Sequence, residues 1–96
     1  MKLEAQAKQL AELLKVLANE NRLLILCALM EGPLAVSQLC EKIGAISQPA
    51  LSQHLALLKA HRIVESTRSG QWVTYFISDK RVEAVIELLK ELYCSA

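Results

Sequence analysis

The stretch "VSQLCEKIGAISQPALSQHLALLKAH", residues 36–61, decides the fold. Val36 to Ile43 reads as a short helix stopped by Gly44. Ser47 then stands as N-cap of a second helix, with Pro49 tolerated in its first turn. Two short helices joined by a tight turn that contains glycine make the helix-turn-helix pattern. On a helical wheel Leu51, Leu55 and Leu58 fall together and should face a core, while Gln48, Ser52 and Lys59 share a neighbouring arc with Pro49, Gln53 and Ala56 beyond it. That outward face is short, polar and mostly uncharged. Such side chains suit base edges in a major groove, since Gln pairs bidentately with adenine and Ser donates or accepts. Any exposed helix face has a similar composition, so the flanking segments carry part of the argument.

Upstream, Leu10, Leu13, Leu14 and Leu17 recur at helical spacing, which predicts an opening helix from about Leu3 to Leu17. Asn19 can cap a second helix from Glu20 to Met30, closed by Gly32-Pro33. Its run "RLLILCALM", residues 22–30, is apolar nearly all round, the pattern of a central helix buried on every side. Within that run Cys27 reads as a small apolar filler. Downstream, "IVESTR" and "WVTYFI" are β-rich and joined through Ser69-Gly70, predicting a two-stranded hairpin with Trp72 and Tyr75 packed beneath it. Ser78 or Asp79 then caps a last helix striped by Val82, Val85, Ile86, Leu89, Leu92 and Tyr93. The expected fold is mainly α with a small β-hairpin wing, a winged helix-turn-helix in the order four helices, two strands, one helix. It occupies residues 1–96 as a single domain.

Length and composition fit that order. A chain of 96 residues with 53% hydrophobic but only 4% aromatic residues builds a modest, leucine-rich helical core. Two terminal helices with strong apolar stripes exceed what so small a domain can hide, so they are expected to form a homodimer interface. The net charge of +1 offers no bulk attraction to nucleic acid, and contacts must come from local clustering. Arg68 beside the wing turn, with Gln71 in the same "RSGQ" tip, has the shape for a phosphate or minor-groove contact. Arg22, with Asn19 and Asn21 at a helix start, could hold a phosphate. His54 lies off the polar arc and could anchor the wing, reach a phosphate, or sit satisfied at the domain edge. The N-terminus lacks a signal-peptide pattern and no apolar run approaches the roughly 18 residues of a membrane span, so a cytoplasmic protein without membrane contact is expected. No Ser/His/Asp set, carboxylate pair or phosphate-binding glycine loop points to an enzyme.

At this point "LKVLANENRLLILCAL", "ISQPALSQHLALL", the wing and "ELLKELYC" together resemble the ArsR/SmtB family of bacterial winged-helix repressors, over roughly residues 10–94. The resemblance implies a homodimer on double-stranded operator DNA, released by an inducer, with Ser47, Gln48, Ser52, Gln53, His54 and Lys59 on the reading helix. Metal-sensing members carry a "CxC" on the third helix, or Asp, His and Glu ligands on the last. Here Cys40 is followed by Lys42 where the second thiol would stand, and the last helix has Asp79 but no histidine, so no metal or other cofactor is expected. The remaining pair, Cys27 and Cys94, looks like the dithiol branch (the SqrR, BigR and HlyU type), in which reactive sulfur species bridge two such cysteines. By that resemblance Cys27 and Cys94 are the redox-sensing pair and Cys40 is a bystander. Cys94, one turn beyond Lys90 and near the chain end, would react first and Cys27 would resolve. A simple peroxide disulfide or a soft metal ion on the same thiols is the alternative. Three departures bear on the fold: Ala35 stands where the family commonly has a Ser cap, the turn Gly44-Ala45-Ile46 is one residue longer than usual, and Arg62 replaces the usual Gly between reading helix and wing, a strained choice if that position needs positive φ.

Overall fold

The computed structural model describes residues 2–94, with side chains for 2–93. The first helix, α1 (Lys2–Leu17), hands over to α2 (Glu20–Leu29) at Asn19, whose side-chain oxygen accepts from the Arg22 backbone N–H at 3.1 Å. A two-residue strand, β1 (Leu34–Ala35), leads into α3 (Val36–Ile43). Ala35 has no oxygen with which to cap α3, but Gln38 Oε1 accepts from the Ala35 N–H at 2.9 Å, which supplies one half of a capping box. Gly44, at φ 79°, closes α3, because glycine enters the left-handed region without a Cβ clash. Ser47 Oγ accepts from Ala50 N–H at 3.3 Å and opens α4 (Gln48–Ala60).

The wing is larger than a hairpin. Strands β2 (Val64–Ser69) and β3 (Trp72–Ile77) pair antiparallel, and β1 adds to the free edge of β3, so the sheet order is β1-β3-β2. The expected two-stranded hairpin is therefore a three-stranded sheet. Leu34 and Ala35 pair with Tyr75 and Thr74, and a two-residue strand beside Pro33 carries no period that a sequence could reveal. Third-strand pairing ties the wing to α3 and removes much of the marginality of an isolated hairpin. Because Ser69 pairs with Trp72, the central turn residues are Gly70 and Gln71 rather than Ser69 and Gly70, with Gly70 at φ 64°. Asp79, not Ser78, caps α5 (Lys80–Cys94): its Oδ1 accepts from Arg81 N–H at 2.9 Å and Val82 N–H at 3.4 Å. Ser78 instead donates to the Arg62 carbonyl at 3.1 Å.

The core is one cluster in which α2 (Ile25, Leu26, Leu29) meets α4 (Leu51, Leu55, Leu58), Leu39, Ile63, Val64, Val82 and Ile86. The second helix is central, touching α1, α3, α4, α5 and β3, but it is not buried on every side: Leu24 is 41% exposed and Cys27 half-buried. Trp72 also departs from expectation, lying 52% exposed on the sheet face opposite that of Val64 and Ile77, while Tyr75 is half-buried against the core. The apolar stripes of the terminal helices bury Val16, Leu17, Val82 and Ile86, with Leu13 packed half-buried against the core. Leu10, Leu14, Leu88 and Leu92 remain at least half exposed. Among the described residues no helix is long and apolar enough to cross a membrane.

Candidate nucleic-acid interface and thiol groove

Helix α4 turns Leu51, Leu55 and Leu58 into the core, and this orientation leaves Ser47, Gln48, Ser52 and Gln53 exposed on one side. A row of hydroxyl and amide groups then stands on a rigid helix whose inner face is fully packed. Lys59 lies at the far end of α4, where its Nζ donates to Ser66 Oγ at 2.8 Å and fastens the helix to β2. Side chains alternate across a sheet, so Arg68 projects on the same side as Ser66 and Val64, the side that α4 occupies. Arg68 and Gln71 are both exposed, one on the strand and one in the turn. The Lys59–Ser66 bond thus ties the helix that carries the exposed polar row to the strand that carries Arg68.

Two other expected DNA contacts are turned toward each other. Arg22, half-buried on α2, donates from Nε to the Val16 carbonyl at the end of α1 and from Nη1 to His54 Nδ1 on α4 at 3.4 Å. Asn19, expected beside it as a phosphate ligand, uses its side-chain oxygen as the α2 cap. The Arg22–His54 pairing spans 32 positions, and no periodicity announces it.

On the opposite side of α2, Cys27 forms part of the floor of two grooves. One, of about 340 Å³, is walled by Leu23, Ile86, Leu89, Lys90 and Tyr93. The other, of about 250 Å³, is lined by Leu24, Ala28, Glu31, Lys42, Ile43 and again Lys90. No positive charge near Cys27 is evident from neighbouring sequence, yet Lys90 of α5 borders both grooves. The only sequence signal pointing that way is that Lys90 lies one helical turn before Cys94. Lys42, standing where a second α3 thiol would be, is paired with Glu31. That hydrogen bond and charge hold the Glu31 carboxyl below its usual range, with a further contribution from the charge of Lys90. Cys40 is half-buried against the core on α3. Cys94 ends α5, and its side chain lies outside the described residues. Among the described residues no cluster of three His, Cys, Asp or Glu side chains could hold a metal ion.

Residues 19–66 match the model of the bacterial regulatory protein family arsR. The transcriptional activator HlyU of Vibrio cholerae serotype O1 is 44% identical over 94 residues, which span 98% of this chain and 86% of that protein. Among solved structures, reduced HlyU from Vibrio cholerae N16961 superposes with a TM-score of 0.91 at 42% identity, covering 98% of each chain. The transcriptional repressor BigR from Xylella fastidiosa superposes with a TM-score of 0.88 at 34% identity, covering 98% of this chain and 92% of BigR.

Proposed function

The chain belongs to the arsR family of bacterial regulatory proteins, and from that premise we propose that it is a homodimeric repressor released from operator DNA when reactive sulfur bridges Cys27 to Cys94. It is a transcriptional regulator with a winged helix-turn-helix fold, not an enzyme. In the proposed complex Gln48, Ser52 and Gln53 read base edges, Ser47 and Lys59 flank them, and Arg68 with Gln71 reach the backbone beside the wing. Dimerisation through α1 and α5 would cover the exposed leucines and set the two copies of α4 about 34 Å apart, one helical turn of DNA.

The observation that carries the sensing step is the place of Cys27, half-buried at the seam of α2 and α5 beneath Lys90, on the helix that ends in Cys94. A nearby cation favours the thiolate, which is the nucleophile. With a trisulfane as inducer, the Cys94 thiolate attacks the central sulfur, hydrosulfide leaves, and Cys94–S–S–SH remains. The Cys27 thiolate then attacks the middle sulfur of that chain, a second hydrosulfide leaves, and Cys27–S–S–S–Cys94 results. Two thiols lose two electrons, and the two terminal sulfurs of the trisulfane gain them. Such a bridge links the central helix to a helix of the proposed dimer face. A tenfold to hundredfold loss of operator affinity needs only about 1.4 to 2.8 kcal/mol of coupling.

The test is mass spectrometry of the reduced protein after treatment with polysulfide, with peroxide and with glutathione disulfide. The expected product is a Cys27–Cys94 cross-link that contains added sulfur and forms with polysulfide alone. A direct disulfide under peroxide with no sulfur-bridged species would replace this reading by peroxide sensing, and uptake of a soft metal by the reduced thiols would replace it by metal sensing. Cys27→Ser and Cys94→Ser should each bind DNA but resist release by polysulfide.

A further inference from the structure

We propose that Arg22 is a positioning residue for the reading helix: through Val16 and His54 it fixes the angle of α4 against α1, and it takes no phosphate itself. The inference rests on DNA reading by α4. A guanidinium carries only donors, so each of its contacts here must end on an acceptor. The Val16 carbonyl lies in the last turn of α1, where carbonyls have no partner within the helix, and Arg22 Nε supplies one. In this bond, 3.4 Å from Nη1, His54 Nδ1 must then be the acceptor, which leaves Nε2 to carry the ring N–H. The Arg22 backbone is fixed as well, because its N–H is held by the Asn19 cap.

One planar group therefore joins the end of α1, the start of α2 and the middle of α4, and the geometry suits arginine rather than lysine, whose ammonium is a point charge on a flexible stem. The proposed dimer helix and the reading helix meet at this guanidinium. Its loss should leave the exposed face of α4 chemically intact but free to tilt. Specific affinity, which needs two copies of α4 seated in successive grooves, falls, whereas non-specific attraction to phosphates stays.

The experiment measures binding of wild type, Arg22→Gln and Arg22→Lys across a salt series. The probes are a duplex that the wild type itself selects from a random library and a scrambled duplex of equal length and composition. Arg22→Gln should weaken binding to the selected duplex by about tenfold, leave binding to the scrambled duplex unchanged, and keep the wild-type slope of log affinity against log salt. Arg22→Lys should behave like Arg22→Gln, since it keeps the charge and loses the fork. A slope shallower by about 1.8 in Arg22→Gln, one phosphate per protomer, with affinity restored in Arg22→Lys would overturn the proposal. Failure of the wild type to select any duplex would instead refute the DNA reading itself. Nitrogen NMR of the wild-type protein keeps the proposal testable even if the variants fail to fold. His54 should show an unprotonated Nδ1 both free and on DNA, and an Nδ1–H ring in the free protein, or release of His54 when DNA binds, would overturn it.

Discussion

Arg62 offers the sharpest quantitative test of how α4 is joined to the wing. Its φ is 60°, the only positive value at a non-glycine position among the described residues. A Cβ-bearing residue in the left-handed region costs about 1 to 2 kcal/mol. Replacing Arg62 by glycine removes that strain but adds about 0.5 to 1 kcal/mol of backbone entropy to the unfolded chain. The bonds that fix the junction are main-chain groups and survive the change: Arg62 N–H donates to the Lys59 carbonyl at 2.9 Å, and the Arg62 carbonyl accepts from Ser78 Oγ at 3.1 Å. The side chain itself is exposed, so little packing is lost. The net expectation for Arg62→Gly is a gain of about 0.5 to 1 kcal/mol, a rise in Tm of about 2 to 8 °C for a domain of this size. Thermal unfolding by circular dichroism should be compared at matched protein concentration, because association stabilises by mass action. Arg62→Asn should fall between wild type and Arg62→Gly, since asparagine tolerates this region better than most residues, and Arg62→Ala should gain nothing. If glycine melts no higher than alanine at this position, the strain argument fails.

Asp79→Ala should destabilise the protein by about 1 kcal/mol through loss of the α5 cap. The Arg81 side chain beside Asp79, helped by the Arg81 and Val82 backbone N–H groups, holds its carboxyl below the usual range. A depressed folded value means that this stability is present above the unfolded value near 3.9 and fades as pH falls through the folded one, so the gap between wild type and Asp79→Ala in denaturant melts should close in acid. Leu92→Glu, at a side chain 67% exposed on α5, should convert the proposed dimer to monomer in sedimentation velocity, and an unchanged dimer would move the interface elsewhere. In a Cys40→Ala, Cys94→Ser background, Lys90→Met should slow alkylation of Cys27 at pH 7 by about three- to tenfold while Lys90→Arg preserves the rate, because a neighbouring cation favours thiolate.

Local chemistry made most of the fold legible. The starts of α2, α3, α4 and α5 depend on residues within three positions of one another, and Asn19 and Ser47 cap as their types and places predict. Gly44 ends α3 for the equally local reason that only glycine enters its φ freely. The third strand was illegible because β1 has two residues, and its reality depends on Tyr75 and Thr74, some forty positions on. Trp72 misled because an aromatic in a strand is a good core candidate by type. Pairing of Ser69 with Trp72 puts the residue at the turn end of the wing, on the face opposite Val64 and Ile77, and leaves it 52% exposed.

The site divides along the same line. A helical wheel assigns faces but not partners, so the exposed row on α4 was legible while the Arg22–His54 contact and the approach of Lys90 to Cys27 were not. The apolar run around Cys27 shows why. An all-apolar helix reads as one buried on every side, but apolarity reports only that a surface avoids water when assembled, not what covers it. In α2, Ile25, Leu26 and Leu29 satisfy that requirement inside the domain, whereas Leu24 and Cys27 border open grooves beside α5. An apolar groove floor and a core position leave the same trace in sequence, although only the former leaves the thiol within reach of a small solute.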